Sequence, residues 1–282
     1  MCLGVADGKE CKVNMNILKN EKGQALAPKT IQMSLDDFKD NGTLDIYWLG
    51  GGGAMINDCG TIVMIDPLLE GVDMPLLREA PMKIKDAGHV DGILITHIDN
   101  DHFSRVTCSG LKDRCDSYHA PHYVASVMKD ELEIDGIGHN IYDSFKIGDM
   151  NIQLTPAKHN WQNGSKKYSY REWKEEDYCG YYITTKGKTI WMPGDSKLLD
   201  EQLNMPSPDV MLFDFADNDW HITLEGAIKL ANAHLTSQLI CIHWGCVDAP
   251  QMSPFNGNPE NLDIINKERI IVLAPGEKYT VK

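Results

Sequence analysis

The chain has 282 residues, of which 42% are hydrophobic and 24% charged, the balance of an ordinary globular protein with a substantial core. Its net charge of −14, with 41 acidic residues against 27 basic ones, disfavours nucleic acid and phospholipid surfaces as partners. Because no apolar run approaches the roughly 20 residues that cross a bilayer, and the start lacks a secretory-signal layout, we expect a cytoplasmic protein without membrane insertion.

In the first half of the chain, the sequence predicts little regular structure over residues 1–43 and then short strands and a helix separated by turns. Residues 1–43 are polar, with a short helix expected near 34–39. Residues 44–48 and 61–65 have the pattern of two adjacent strands. The glycines at 50–53 predict a tight turn that brings backbone close to a site. Residues 74–87 favour a helix.

The second half predicts strands that alternate with helical segments. Thr223 is placed as the N-cap of a helix that runs to about His234. Residues 181–184 and 189–192 predict a hairpin. The other expected strands are 93–96, 151–155, 210–213, 239–242 and 270–273. This alternation is typical of an α/β layered architecture.

The run His97-Ile-Asp-Asn-Asp101-His102 is the most informative feature of the sequence. It holds four potential metal ligands within six residues, directly after a predicted buried strand. Loops that leave a sheet are where a rigid fold presents functional groups. A metal ion in such a loop is held firmly while it stays open to water.

Three further candidate ligands also stand just past predicted strands. His159 follows the strand at 151–155, Asp195 the strand at 189–192, and His243 the strand at 239–242. Strands that end repeatedly in His and Asp indicate a site built at one edge of the fold.

These residues and their order resemble the metallo-β-lactamase superfamily. The finer details resemble its ascorbate-6-phosphate lactonase-like branch and the related N-acyl-phosphatidylethanolamine phospholipase D-like enzymes. The resemblance extends from about Leu44 to the C-terminus. Its details are Trp48-Leu-Gly, Ile65-Asp66-Pro67, Pro193-Gly-Asp195-Ser, His221-Ile-Thr-x-x-x-Ala227, Ile242-His243-Trp244-Gly and Ala274-Pro-Gly-Glu277.

The resemblance implies a four-layer αββα sandwich over residues 44–282, with mixed sheets, a metal site at the strand ends and residues 1–43 as an N-terminal extension. It also implies two divalent metal ions about 3.5–4 Å apart, bridged by a water or hydroxide. In the implied ligand set, His97, Asp99 and His159 hold the first metal, and Asp101, His102 and His243 hold the second. Asp195 bridges both. Zinc or manganese suits these donors, and iron is an alternative.

Asp99 departs from the commonest family motif, which has a histidine at that position. A carboxylate adds negative charge and a harder oxygen donor, which shifts preference from zinc toward manganese or iron. Flavin-linked di-iron members of the superfamily also carry an acidic residue there. The alternative is that Asp99 lies outside the ligand shell and one metal is held weakly.

The chemistry implied is hydrolysis by a metal-bridging hydroxide, with Asp101 orienting the nucleophile and shuttling its proton. His221 is the candidate helper that binds substrate or protonates the leaving group; its alternative role is capping or packing. The aromatic segment from His159 to Tyr182 is expected to form a lid or pocket wall. Tyr168 and Tyr170 alternate as in a plain edge strand, which is the competing interpretation.

The predicted function is a metal-dependent hydrolase that cleaves a lactone or ester bond of a small soluble substrate. A soluble phosphodiesterase on the same site is the alternative, and the small molecule is the expected partner, with a homo-oligomer consistent with the family. A di-iron redox protein is a different class, prompted by Asp99, although no flavin-binding motif accompanies it. A metal sensor without turnover is a third class.

Several other residues carry no functional prediction. The eight cysteines lack metal-site spacing and are expected to be free, mostly buried thiols. His119 and His122 are assigned to a surface loop before the start of a helix or strand. His89, His139 and His234 are expected to be structural or solvated. The acidic residues Asp214, Asp217 and Asp219 are expected to form a solvated loop, with a pocket edge as the alternative.

Overall fold

Two seven-stranded sheets form the framework of the computed structural model, which describes residues 16–282. The strands are β1 (Leu44–Gly50), β2 (Gly53–Asp58), β3 (Thr61–Ile65), β4 (Gly92–Leu94), β5 (Tyr118–Pro121), β6 (Ile137–His139), β7 (Ser144–Ile147), β8 (Met150–Pro156), β9 (Cys179–Thr185), β10 (Lys188–Met192), β11 (Val210–Phe213), β12 (Gln238–Cys241), β13 (Ile270–Ile271) and β14 (Lys278–Thr280). The predicted strands at 61–65 and 210–213 and the predicted hairpin are confirmed.

Each sheet is mixed, with a half of antiparallel hairpins and a half of parallel strands. The first sheet has the order β14-β1-β2-β3-β4-β5-β6, antiparallel as far as β3 and parallel beyond it. The second has the order β13-β12-β11-β10-β9-β8-β7, parallel as far as β10 and antiparallel beyond it. Parallel strands require crossovers, which here carry the helices and most of the loops that bear the candidate ligands. The loop with His159 is the exception, because it joins the antiparallel strands β8 and β9.

Four α-helices lie in the crossovers: α1 (Arg105–Leu111), α2 (His122–Leu132), α3 (Asp200–Asn204) and α4 (Leu224–Ala233). The predicted N-cap of α4 is confirmed, because the Thr223 side chain accepts a hydrogen bond from the Gly226 amide. No helix among residues 16–282 is long and apolar enough to span a membrane.

Two large clusters make up most of the core of the described residues, and the alternation of side chains along β2 shows how they are separated. Ala54 and Ile56 point into a cluster shared by both sheets and by α4, whereas Met55 points into a cluster shared with α1 and α2. Strand side chains alternate between the two faces of a sheet, so each face has its own apolar layer. The layers therefore run helix, sheet, sheet, helix, which confirms the predicted αββα sandwich with mixed sheets.

Two local predictions are wrong. Residues 74–87 hold only a 3₁₀ turn at Ile84–Asp86 and a bridge between Leu76 and Val247. Pro81 has no amide hydrogen to donate and biases the preceding residue to extended backbone, which excludes a continuous helix. The strands at 44–48 and 61–65 are not adjacent either. An unpredicted strand, β2, lies between them and pairs with both.

Residues 16–43 lie against the sandwich. Ala25 and Ala27 are buried in the cluster between the sheets, and Met33 is buried in the other. The expected short helix is present as a 3₁₀ turn at Leu35–Phe38, capped by Ser34. Residues 1–15 of the predicted extension lie outside the described residues.

Candidate metal centre

Seven predicted ligands meet at one edge of the sandwich, where the strands that precede them end. Residues 97–102 follow β4, and His159, Asp195 and His243 follow β8, β10 and β12. They form two clusters in which the potential ligand atoms lie within 4.8 Å of one another. We call His97, Asp99 and His159 the first donor group, and Asp101, His102, Asp195 and His243 the second donor group.

In the first donor group, one carboxylate oxygen faces two imidazoles. Asp99 Oδ2 lies 3.5 Å from His97 Nε2 and 3.4 Å from His159 Nε2. His97 is 1% exposed, and among the described residues its Nε2 has no hydrogen-bond partner. A buried polar atom without a partner is costly, so this nitrogen is suited to an ion.

In the second donor group, carboxylates and imidazoles alternate around a common centre. Asp195 Oδ2 lies 3.1 Å from His102 Nε2 and 3.5 Å from His243 Nε2. The two imidazole Nε2 atoms are 3.3 Å apart, and Asp101 Oδ2 is also 3.3 Å from His243 Nε2. Two imidazole nitrogens this close, with carboxylates on either side, converge as ligands do.

These spacings fit metal ligands. Zinc binds imidazole nitrogen and carboxylate oxygen at about 2.0–2.2 Å in tetrahedral geometry, which places two ligand atoms about 3.4 Å apart. The nitrogen–oxygen distances quoted above for both groups, 3.1–3.5 Å, lie close to that separation. The donor chemistry and the spacing therefore both suit divalent ions.

Asp66 orients His102 directly and His97 through Thr96, on the side of the rings that faces away from the donor groups. This fully buried carboxylate contacts His102 Nδ1 at 2.8 Å and accepts hydrogen bonds from the Thr96 amide at 2.8 Å and hydroxyl at 2.6 Å. The Thr96 hydroxyl in turn lies 2.9 Å from His97 Nδ1. Metal-binding histidines almost always have their second nitrogen fixed in this way. Sequence reasoning gave Asp66 no role, although its place at the end of β3 was the available signal.

The remaining imidazoles are fixed by the backbone. His159 Nδ1 lies 2.7 Å from the Trp220 carbonyl oxygen, and His243 Nδ1 lies 3.2 Å from that of Pro254. The His243 amide also donates to the Gly51 carbonyl at 2.8 Å. Both rings therefore present Nε2 to the donor groups.

The glycine turn between β1 and β2 presses against the site, as its composition predicts. A Cβ atom on Gly52 would lie 2.5 Å from Cε1 of His102. Only a residue without a side chain permits this close approach of the backbone.

Charges within the site move its pKa values in opposite directions. Burial lowers the pKa of His97. Burial also opposes the charged form of His102 and His243, but the charge of Asp195 raises the pKa of His102 well above its usual value and that of His243 to about 9. These histidines hold the pKa of Asp195 well below its usual range despite its burial. The carboxylates of the site therefore favour positive charge beside them, which either protons on His102 and His243 or bound metal ions would supply.

His221 lies beside both donor groups, with its orientation set by Asp214. Its Nδ1 is 2.9 Å from Asp214 Oδ2, and its Nε2 is 3.6 Å from Asp195 Oδ2. The side chain of Thr223, not of His221, caps α4, so the capping interpretation is wrong. The solvated-loop prediction is also wrong for Asp214, which is buried, accepts a hydrogen bond from the Ala216 amide and contacts His221.

A cavity of about 510 Å³ opens above the donor groups. Its aromatic side is the stretch from residue 159 to 178, which we call the wall segment. The wall residues that line the cavity are His159, Trp161, Tyr168, Tyr170 and Trp173. The segment consists of short 3₁₀ turns rather than a strand, so the edge-strand interpretation of Tyr168 and Tyr170 is wrong.

The wall segment also contacts the first donor group directly. Asp99 Oδ2 accepts a hydrogen bond from Trp161 Nε1 at 2.8 Å, and Asp99 Oδ1 accepts one from Gln162 Nε2 at 2.6 Å. The Tyr178 hydroxyl donates to Gln162 Oε1 at 2.6 Å. Sequence reasoning missed the contacts of Asp99 because they join residues 62 and 63 positions apart.

A family model described as the Beta-lactamase superfamily domain matches residues 61–244, more than half of the chain. The chain belongs to the β-lactamase superfamily. It is 27% identical over 202 residues to a UPF0173 metal-dependent hydrolase of Ruegeria sp., covering 70% of this chain and 76% of that protein. It is 21% identical over 246 residues to N-acyl-phosphatidylethanolamine-hydrolyzing phospholipase D 1 of Caenorhabditis elegans, covering 76% and 67%.

Among solved structures, Igni18, a metallo hydrolase from Ignicoccus hospitalis, has a similar fold, with a TM-score of 0.65 and 21% identity over 85% of this chain and 99% of that one. The family and the relatives confirm the predicted class: the chain is a metal-dependent hydrolase of the β-lactamase superfamily.

One histidine prediction away from the donor groups is wrong. His119 is 5% exposed, not in a surface loop, because β5 lies beside β4 and carries it into the edge of the first sheet. There its Nδ1 lies 2.9 Å from His139 Nε2, and its ring stacks on Phe145 at 4.0 Å. His234 is buried and structural, as predicted, and His89 is exposed beside Asp116. The cysteines among the described residues are free thiols, four of them buried.

Proposed function

We propose that this superfamily member hydrolyses a lactone or ester bond of a small molecule with two divalent ions held by the donor groups. The observation that carries the proposal is the meeting of seven His and Asp side chains, at ligand spacing, beneath a cavity of about 510 Å³. Cavities of this size are typical of small-molecule sites.

In this proposal His97, Asp99 and His159 hold the first ion, Asp101, His102 and His243 hold the second, and Asp195 contributes to both. Bound there, the ions would lower the pKa of a water molecule and polarise the oxygen of the scissile bond. Imidazole and carboxylate donors suit zinc or manganese, and Asp99 keeps iron as a third choice.

Two residues of the chain move protons. The Asp101 side chain is 20% exposed, so it reaches water in the cavity and accepts the proton of the attacking water. His221 is fixed through Nδ1 by Asp214, which leaves Nε2 free to donate a proton to the leaving oxygen when the carbon–oxygen bond breaks.

The charges of the cavity favour an uncharged substrate. Four aspartates line it, and Arg105 is the one Lys or Arg among the lining residues in the described part of the chain. Arg105 already pairs with Glu131. Three of the four aspartates are proposed ion ligands, so the ions would offset their charge. Beyond those ions, the described lining residues offer a phosphodiester no unpaired Lys or Arg, whereas an uncharged ester or lactone needs none.

A soluble phosphodiester is the second candidate substrate. It is favoured by the similarity to the phospholipase D of Caenorhabditis elegans. The same donor groups and the same proton-transfer residues would serve both reactions, so the two candidates differ in the cavity and not in the centre.

We also infer that the enzyme works in the cytoplasm. The support is chemical: the six cysteines in the part of the chain that the structure describes are free thiols, as expected in a reducing compartment.

The test is a panel of an uncharged lactone, an aryl acetate and bis(4-nitrophenyl) phosphate, assayed with zinc- and manganese-loaded protein. We expect turnover of the lactone or the acetate to exceed that of the phosphodiester and to vanish in metal-free protein. A higher kcat/KM on the phosphodiester would select the second candidate. No turnover on the panel by fully loaded protein would contradict the hydrolase proposal.

A further inference from the structure

The first donor group has partners on the side opposite its histidines. Trp161 Nε1 and Gln162 Nε2 donate to the two oxygens of Asp99, at 2.8 and 2.6 Å. Hydrogen bonds to a charged acceptor are the strong ones, and two donors on different oxygens fix the plane of the carboxylate. The orientation of Asp99 is thus set by residues that are not candidate ligands.

Tyr178 sets which end of the Gln162 amide faces Asp99. Gln162 is fully buried, and its Oε1 accepts the Tyr178 hydroxyl at 2.6 Å. With its oxygen occupied by that donor, the amide presents its NH₂ to the carboxylate.

The carboxylate keeps capacity for an ion. A carboxylate oxygen has two lone pairs, and Oδ2 spends one on Trp161 while it faces His97 and His159. Oδ1 is turned away from the imidazoles and bound to Gln162. This arrangement offers one oxygen to an ion and prevents Asp99 from swinging to offer two.

The same contacts join the donor group to the surface that faces the substrate. Asn163, next to Gln162, donates to the Trp173 carbonyl at 2.7 Å and accepts the Trp173 amide at 2.9 Å. Trp173 lines the cavity, as does Trp161. Hydrogen bonds between Asn163 and Trp173 therefore join the two ends of the loop within the wall segment, and Trp161 and Gln162 of the same segment contact Asp99.

We propose that Gln162 and Trp161 are positioning residues that fix Asp99 as a one-oxygen ligand of the first donor group, with Tyr178 orienting Gln162. The proposal rests on the metal centre in the proposed function. Ion affinity at the first donor group then depends on the wall segment, whereas affinity at the second does not. At a position where the superfamily most often has histidine, these hydrogen bonds give a mobile carboxylate the fixed geometry of an imidazole.

The test is a calorimetric titration of zinc into the metal-free full-length chain. The variants are Gln162→Met, which keeps length and bulk but removes the amide, and Trp161→Phe, which keeps an aromatic ring but removes the indole N–H together with part of the ring. Asp99→Ala identifies the step that belongs to the first donor group. The matched control is Gln24→Met, since Gln24 is also a buried amide with a 2.6 Å hydrogen bond, donated to the Val247 carbonyl.

We expect Gln162→Met to weaken by about 10–100-fold the same step that Asp99→Ala weakens, the usual effect of losing an outer partner of a ligand. Trp161→Phe should act on that step in the same direction. Gln24→Met should leave both steps unchanged. Combined with Asp99→Ala, Gln162→Met should add no further loss, because residues that act through one group are not additive.

Equal weakening of both steps, unchanged binding or a fully additive double variant would overturn the proposal. Thermal melts by circular dichroism check each fold, and Trp161→Phe provides an independent reading if Gln162→Met unfolds. A parent chain that binds no ions would remove the metal centre and the positioning role together. A parent that binds two ions but hydrolyses nothing would contradict only the hydrolase assignment.

Discussion

The two donor groups differ in what holds them. The second is anchored to the core, since His102 rests on Asp66, a fully buried carboxylate at the end of β3. The first is anchored to loops: Asp99 rests on Trp161 and Gln162, and His159 on the Trp220 carbonyl. The division is not complete, since His97 also reaches Asp66 through Thr96. In the second group His243 contacts the Pro254 carbonyl of a loop. The difference teaches that Asp99 is the ligand whose orientation depends on the wall segment, whereas His102 is fixed by the buried core.

The largest expected effect comes from removing Asp195, the member of the second donor group that is proposed to contribute to both ions and that also clusters with His159. Asp195 Oδ2 lies within 3.6 Å of His102, His221 and His243. Asp195→Ala should abolish tight binding at both donor groups and reduce hydrolysis to the level of metal-free protein. Elemental analysis after gel filtration measures the ions. If Asp195→Ala keeps one ion bound tightly, Asp195 serves one group only.

The second prediction concerns chemistry without loss of metal. His221→Gln should lower kcat by about 10²–10⁴-fold, the usual contribution of a proton donor, while both metal-binding steps stay within a few-fold of the parent. Steady-state kinetics and metal titration in parallel separate the two effects. If kcat and metal content are both unchanged, His221 has no part in catalysis.

The third prediction concerns a variant that should weaken the second donor group and spare the first. Asp66→Asn removes the charge beneath His102 while its size is kept, and should weaken the second donor group by about 10–100-fold. Binding at the first donor group should change less, because Asp66 reaches His97 only through Thr96. Titration of zinc into the metal-free variant, compared with Gln162→Met, shows whether the two variants weaken different steps. If both weaken the same step, the two groups share one anchor.

A smaller effect on metal binding is expected from a steric clash with the ring of His102. Gly52→Ala places a methyl group 2.5 Å from the ring, which must tilt, so binding at the second donor group should weaken several-fold. Gly164→Ala in the wall segment is the matched control, since a Cβ there has open space within 4 Å. Equal binding by both alanine variants would show that the glycine turn does not hold His102.

The smallest expected effect concerns His119, which lies outside both donor groups and affects the free energy of unfolding rather than metal binding. Burial, with His139 nearby, lowers the pKa of His119 to about 4 from a usual value of 6.5. Between those pH values the unfolded chain takes up a proton that the folded chain does not, so the free energy of unfolding decreases as the pH falls. His119→Phe should make that decrease shallower, as measured by urea unfolding of metal-free protein at several pH values. An unchanged slope would mean that His119 protonates freely in the fold.

Much of this molecule follows from local patterns. Short apolar runs with turn residues at their ends predicted most strands of the second sheet, and polar residues past those ends predicted the donor groups. What local patterns could not predict are partners set by tertiary structure. Asp66, Gln162 and Tyr178 bear on the centre only because the sheet edge brings distant segments together.

The errors have physical causes of the same kind. The segment at 74–87 has helical spacing, but its prolines and its pairing with residues 246–247 impose an extended path. His119 and Asp214 looked like surface residues because they are polar. In the fold each has a partner that makes burial favourable, His139 and His221 respectively.

The most direct test of the central claim is metal stoichiometry by elemental mass spectrometry, on parent protein and Asp99→Ala purified without chelator. Two equivalents of zinc or manganese in the parent and one in Asp99→Ala are the expected result, since the second donor group should keep its ion. Two of iron would keep the centre but favour redox chemistry. Substantially less than one in the parent, not restored by added metal, would contradict the account.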